Sequence, residues 1–186
     1  RDDPPDGAFA IFQDQRAWGF YADWFEQRIE DVDVTAFRNA ADLVEVDLDD
    51  FDCIWVATGE QSAQFTANWN ENVDRFNEWV SGGGVIFVEQ GWNGNHVREG
   101  IGGLVDQRTP QEGRLAPGLG EGGDVENWLV DQMGWPQNQN FPGNSTFHCV
   151  YPEDRLDEID DSDFWQAIAV GANTGDPGVV WYNYGR

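Results

Sequence analysis

Short apolar runs alternate with longer amphipathic stretches through the first half of the chain. Ala8-Phe9-Ala10-Ile11-Phe12 is continuously apolar, as expected of a strand buried on both faces. Trp18, Tyr21, Phe25 and Ile29 then step by three, four and four, a helical stripe within 17–29. The stretch from Val32 to Phe37 alternates in strand fashion, and an acidic connection from Asp42 to Asp50 leads into a strand over Cys53–Ala57. Ser62 is placed to cap the next helix, whose buried stripe reads Phe65, Trp69, Val73, Phe76 and Val80. Gly82-Gly83-Gly84 ends that helix, and Val85–Val88 is another apolar strand. Strands alternating with helices predict a parallel sheet with helices on both faces and right-handed crossovers.

The second half is looser. Residues 91–123 are rich in Gly and contain Pro110 and Pro117, and read as loop. Asp124 and Gly134 bracket a short helix, Val125 to Met133, with Pro136 beyond it. Strands are predicted at Phe147–Tyr151, Ala167–Val170 and Val179–Tyr184, with a turn over Asn173–Gly178. The expectation is one α/β domain over 1–186, a three-layer sandwich with a mostly parallel sheet. Residues 1–6 are a polar lead-in, and 91–147 form a loop-rich insertion over the carboxyl edge of the strands.

Charge changes the functional picture more than the fold. Of 186 residues, 35 are acidic and 10 basic, every basic one arginine, for a net charge of −25. Nucleic-acid binding needs cations to displace phosphate counterions, so that class is excluded, and anionic membrane surfaces are disfavoured alike. Twenty-six aromatic residues, ten of them Trp, argue against disorder. Molar salt would screen the self-repulsion, so adaptation to high salt is the sharper reading and a lysine-poor, acidic proteome the blander one. A third reading is divalent-cation binding by Asp157, Asp160, Asp161 and Asp163, which lack the Gly and closing Glu of an EF-hand loop. No apolar run is long enough to span a membrane. A chain opening on Arg1 is expected to be a processed piece, and Asn144-Ser145-Thr146 fits the N-glycosylation pattern. The expected setting is extracellular or cell-surface, with the cytoplasm of a high-salt organism as the alternative.

In open parallel sheets, ligands gather beyond the carboxyl ends of the strands. Here those ends carry Gln13-Asp14-Gln15, then Thr58-Gly59-Glu60-Gln61, then Glu89-Gln90-Gly91-Trp92-Asn93. The candidate ligand-binding set is therefore Asp14, Glu60, Gln61, Glu89, Gln90, Trp92 and Asn93. Glu89 with His96 or Glu60 is the acid/base set if the chain is an enzyme. The bland reading makes Glu89 a strand-end carboxylate accepting local N–H groups, and His96 a solvated loop residue. Trp92 and Trp135 beside Asn and Gln side chains suit a sugar face or a protein interface. Cys53 sits in a strand as a small hydrophobe. His148 and Cys149 are neighbours in an extended segment and form no ready dyad. Two histidines without metal-ligand spacing, and no lysine for a P-loop, imply neither metal nor cofactor.

Three stretches carry a family resemblance. Asp49-Asp50-Phe51-Asp52-Cys53-Ile54-Trp55-Val56-Ala57-Thr58-Gly59 resembles a conserved strand of the class I glutamine amidotransferase-like superfamily, a flavodoxin-like architecture. Phe76 to Val88, through Gly82-Gly83-Gly84, is similar to its helix-to-strand junction, and Val179 to Arg186 to a late strand and turn. The resemblance implies a nucleophilic Cys at the elbow after Val85–Val88, or a His in the sugar-utilisation branch. This chain has Glu89 there, and a carboxylate cannot form the thioester of glutamine hydrolysis. The expectation is thus a degenerate, non-catalytic accessory domain. Its partner is a protein neighbour, a second copy or a carbohydrate. The alternative is an unusual sugar or amide hydrolase or isomerase.

Overall fold

The structure is a computed structural model. It describes residues 7–16, 32–57, 61–90, 99–105, 107–117, 146–151, 153–157, 159, 165–171 and 177–185. The chain divides into two compact units, Arg1–Ile101 with Gly185, and Gly102–Tyr184 with Arg186. The helices expected over 17–29 and 125–133, the lead-in 1–6 and the turn residues 173–176 lie outside the described residues.

The first unit is an α/β fold of flavodoxin-like type. Strands β1 (Ala8–Phe12), β2 (Asp33–Phe37), β3 (Cys53–Ala57) and β4 (Val85–Glu89) form an all-parallel sheet in the order β2-β1-β3-β4. Register places Ala10 beside Ile54 and Ile86, and Phe12 beside Val56 and Val88. These rows lie under helix α2 (Ala63–Ser81), because Phe12 meets Phe76 edge-on with centroids 6.2 Å apart. Phe12 also stacks on Phe37 at 4.9 Å, and Trp69 lies against Phe76 at 4.8 Å. Phe12, Trp69 and Phe76, fully buried, each stabilise the fold by about 1.5–3 kcal/mol through removal from water.

Helix α2 begins where its sequence directs. The Ser62 hydroxyl accepts from the Phe65 N–H at 3.1 Å, satisfying one of the donors that a helix start leaves open. Its buried stripe is Phe65, Trp69, Val73, Phe76 and Trp79. The last member is Trp79 rather than the expected Val80, which is only half-buried. The reason is local: a Cβ on Gly84 would fall within the Trp79 ring, so the indole closes over the glycine at the entry to β4. Gly83 takes the positive φ of 107° that turns the chain. The acidic connection from Asp42 to Asp50 has regular structure of its own. It holds helix α1 (Asp42–Glu45) and a 3-10 turn (Leu48–Asp50), anchored by buried Leu43 and Leu48. Arg75 of α2 stitches it down, donating to Leu43 O at 2.8 Å, Val44 O at 2.7 Å and Val46 O.

The second unit builds its own antiparallel sheet, order β6-β5-β7-β8, from β5 (Gln107–Pro117), β6 (Thr146–Val150), β7 (Trp165–Gly171) and β8 (Pro177–Tyr182). Short helix α3 (Glu153–Leu156) follows β6. Its core is Leu104, Tyr151, Leu156 and Ile159, with Trp165, Val180, Tyr182 and Tyr184 packed against them. The expected strands at Phe147–Tyr151, Ala167–Val170 and Val179–Tyr184 correspond to β6, β7 and β8, shifted by one or two residues at every end. Strand β5 falls inside the stretch 91–147 read as a loop-rich insertion, where no strand was expected before Phe147. It breaks register between Arg108 and Gly113, around Pro110, which has no N–H for a ladder.

Candidate functional site

Strands β1 and β3 are neighbours although β2 lies between them in sequence, so the topological switch point falls between them. Beyond their carboxyl ends the chain runs into 13–16 after β1, and into Gln61 and Ser62 ahead of α2. The structure joins these two segments directly. Gln61 is buried, and its Oε1 accepts from Asp14 N–H at 2.8 Å and from Gln15 N–H at 3.0 Å. Its Nε2 donates to Gln15 O at 3.2 Å. In return the Asp14 carboxylate accepts from Ser62 N–H at 3.0 Å and from the Ser62 hydroxyl. Gln13, also buried, ties β1 to β2: its N–H donates to Phe37 O at 3.0 Å, and its Oε1 accepts from Arg38 at 3.3 Å.

The consequence is chemical. A switch point beside a helix N-terminus is where such folds receive phosphates and other anions, because free N–H groups and the helix dipole converge there. In this chain the anion is already present: the Asp14 carboxylate occupies the start of α2. Two of the seven expected ligand residues, Asp14 and Gln61, thus meet at one place and bridge main chain to main chain. Ser62 and Gln13 belong to the same arrangement. Ser62 was legible only as a cap, and Gln13 only as one member of a polar strand end.

Glu89 stands one strand further along, in register with Ala57. Burial pushes its carboxyl above the ordinary range. Gln90 follows it, half-buried. Glu60, Trp92, Asn93 and His96 lie outside the described residues, as does Trp135. Cys53 is the inert kind of thiol, pushed up to about 11 chiefly by burial. Of the carboxylates considered for a cation, Asp157 accepts from the Trp165 indole N–H at 2.8 Å, and Asp160, Asp161 and Asp163 are not described. Among the described residues no cluster of three or more His, Cys, Asp or Glu is disposed to hold a metal, and no helix is long and apolar enough to cross a membrane.

A cleft of about 410 Å³ lies at the other end of α2, lined by Asp47, Leu48, Asp49, Arg75, Glu78, Trp79 and Gly82. Its one cation, Arg75, is committed to the three carbonyls of 43–46. No protein-family model, curated protein or solved structure matches the chain.

Proposed function

We propose that the chain is a degenerate, non-catalytic relative of the class I glutamine amidotransferase-like proteins. It serves as an accessory domain of an exported or cell-surface protein in high salt. Its work is assembly or the binding of a ligand such as a carbohydrate. The observation that carries this reading is the closed switch point. Asp14 and Gln61, which would otherwise face a ligand, are spent on holding two loops together. The position matching the family's elbow, at the end of β4, is Glu89, which cannot serve thioester chemistry. Assembly is favoured over small-ligand binding by the far face of the sheet. Parallel sheets are ordinarily covered on both faces, yet Val85 and Phe87 are 62% and 49% exposed.

A second reading rests on one observation. Burial raises the Glu89 carboxyl, the direction a general acid requires. Glu89 would then act in a sugar or amide hydrolase or isomerase, with His96, Glu60 or Asp14 assisting. Thermal unfolding in molar NaCl against sugars and small amides separates the readings, run on the native chain and on Glu89→Ala. A ligand at a hundredfold excess over its Kd adds about 2.7 kcal/mol of stability. Stabilisation of the native chain alone supports a ligand site at Glu89 and weakens the non-catalytic reading. Equal stabilisation of both supports a binding module, and a silent panel supports assembly.

A further inference from the structure

We propose that β4 pairs antiparallel with β4 of a second copy, about a two-fold axis at Phe87, to form a salt-dependent dimer. The inference rests on the assembly reading above and names its partner. Among the described residues β4 is the last strand of its sheet. The Val85 N–H donates to Asp52 O, so Val85, Phe87 and Glu89 direct their main-chain groups toward β3. Main-chain direction alternates along a strand, so Ile86 and Val88 direct theirs outward. Natural edges are blunted by lysine, proline or bulges. Val85-Ile86-Phe87-Val88-Glu89 has none of these and a single charge at its end.

Charge and hydrogen bonding select the register. With Phe87 opposite Phe87, Ile86 and Val88 form two hydrogen-bonded pairs with Val88 and Ile86 of the second copy. Each Glu89 then faces a Val85, and the two carboxylates stand about 13 Å apart along the strands. A register centred on Val88 would bring the carboxylates together. One centred on Ile86 would need the Gly84 N–H, which already donates to Trp79 O at 3.2 Å. The chosen register also joins the two exposed apolar strips. Phe87 lies beside Trp55, with centroids 6.0 Å apart, on the face opposite α2. Together Val85 and Phe87 offer on the order of 200 Å² per copy. That is well below a permanent interface, so the dimer is reversible. Each copy carries a charge of −25, which opposes association until salt shortens the screening length from about 10 Å to about 3 Å.

The test is the solution mass of the whole chain by light scattering, across protein concentration, in dilute buffer and in molar NaCl. The native chain is expected at its 21.0 kDa chain mass in dilute buffer and to move toward twice that in salt. Val88→Pro removes an outward N–H and leaves the β3 ladder intact, so it should stay monomeric. Phe87→Ser should do the same. Should Val88→Pro fail to fold, Phe87→Cys in a Cys53→Ser, Cys149→Ser background supplies an independent readout. Non-hydrogen-bonded partners sit about 4.5 Å apart at Cα, within disulfide range, so it should cross-link on oxidation in salt. A native monomer at every salt overturns the proposal, as does a dimer that both edge variants retain. The ligand panel judges the non-catalytic reading separately, whatever the mass.

Discussion

The bond between Asp14 and Ser62 allows the closed switch point to be measured. Asp14→Ala removes the acceptor of the Ser62 N–H and of its hydroxyl. It also removes a carboxylate from the positive end of α2. Hydrogen bonds to a charged group contribute about 1.5–3 kcal/mol each when shielded. Asp14 is half-buried, and water can take its place, so the lower end applies to the pair together. A loss of about 2 kcal/mol is expected, with the dipole contributing about 0.5 kcal/mol of it. Ser62→Ala loses the same hydroxyl bond and the cap on Phe65 N–H, a cost of about 1–2 kcal/mol. The two changes share one interaction, so they should not add. The double variant should be about 1 kcal/mol more stable than the sum predicts. Urea unfolding in a fixed molar salt, followed by Trp fluorescence, gives all four corners of the cycle. Additivity within 0.3 kcal/mol, the ordinary bound for independent sites, would refute the claim that Asp14 acts as the resident anion of α2.

Three further outcomes follow from the first unit. Arg75→Ala should cost about 2 kcal/mol in urea unfolding, and Arg75→Lys should recover less than half, because an ammonium cannot span three carbonyls as the guanidinium fork does. Gly84→Ala drives a Cβ into the Trp79 ring, so a loss of about 1–3 kcal/mol is expected with a changed near-ultraviolet Trp signal; an unchanged signal and melt would contradict the packing. Glu89 has a raised carboxyl in the fold, so the native state holds the proton more tightly than the unfolded chain. Stability is then lost as pH rises from the ordinary carboxylate value through the raised one. Glu89→Gln should remove that loss, gaining on the native chain at neutral pH but not at pH below 4.5, as read by melts across the range.

How much of this was legible depended on whether pattern or pairing fixes the element. Strand β3 and the cap of α2 were readable to the residue, because continuous apolar runs and a Ser ahead of a 3.6-residue stripe leave little choice. The end of the α2 stripe was not. Val80 and Trp79 are both apolar at neighbouring angles, and the contact with Gly84, across a turn, decides between them. Strand β5 was hidden for another reason. Gln107–Pro117 has only Leu115 and Ala116 as apolar residues apart from its proline pair, so nothing alternates. It is held by ladders to β6 and β7, partners distant in sequence. At the site, the sequence could place polar residues at three strand ends on one edge. It could not tell which would face solvent and which would face main chain. A buried glutamine with three main-chain bonds and a ligand-facing glutamine look identical as letters.

The closed switch point and the acidic surface respond to salt differently, and the difference separates scaffold from assembly. The Gln61 bonds involve a neutral amide and main chain at contact distance, where added ions cannot intervene. Screening acts on the longer-range repulsion among the 35 acidic side chains and between two approaching copies. Molar salt should therefore raise the stability of the native chain and of Gln61→Leu in parallel, leaving a constant gap between them. That gap is about 2 kcal/mol, for two part-buried N–H groups left without their acceptor. A gap that closes in salt would mean that the loops are held by long-range charge instead. The switch point would then be a site opened and shut by ionic strength, and the case for a passive scaffold whose salt response lies at the β4 edge would fall.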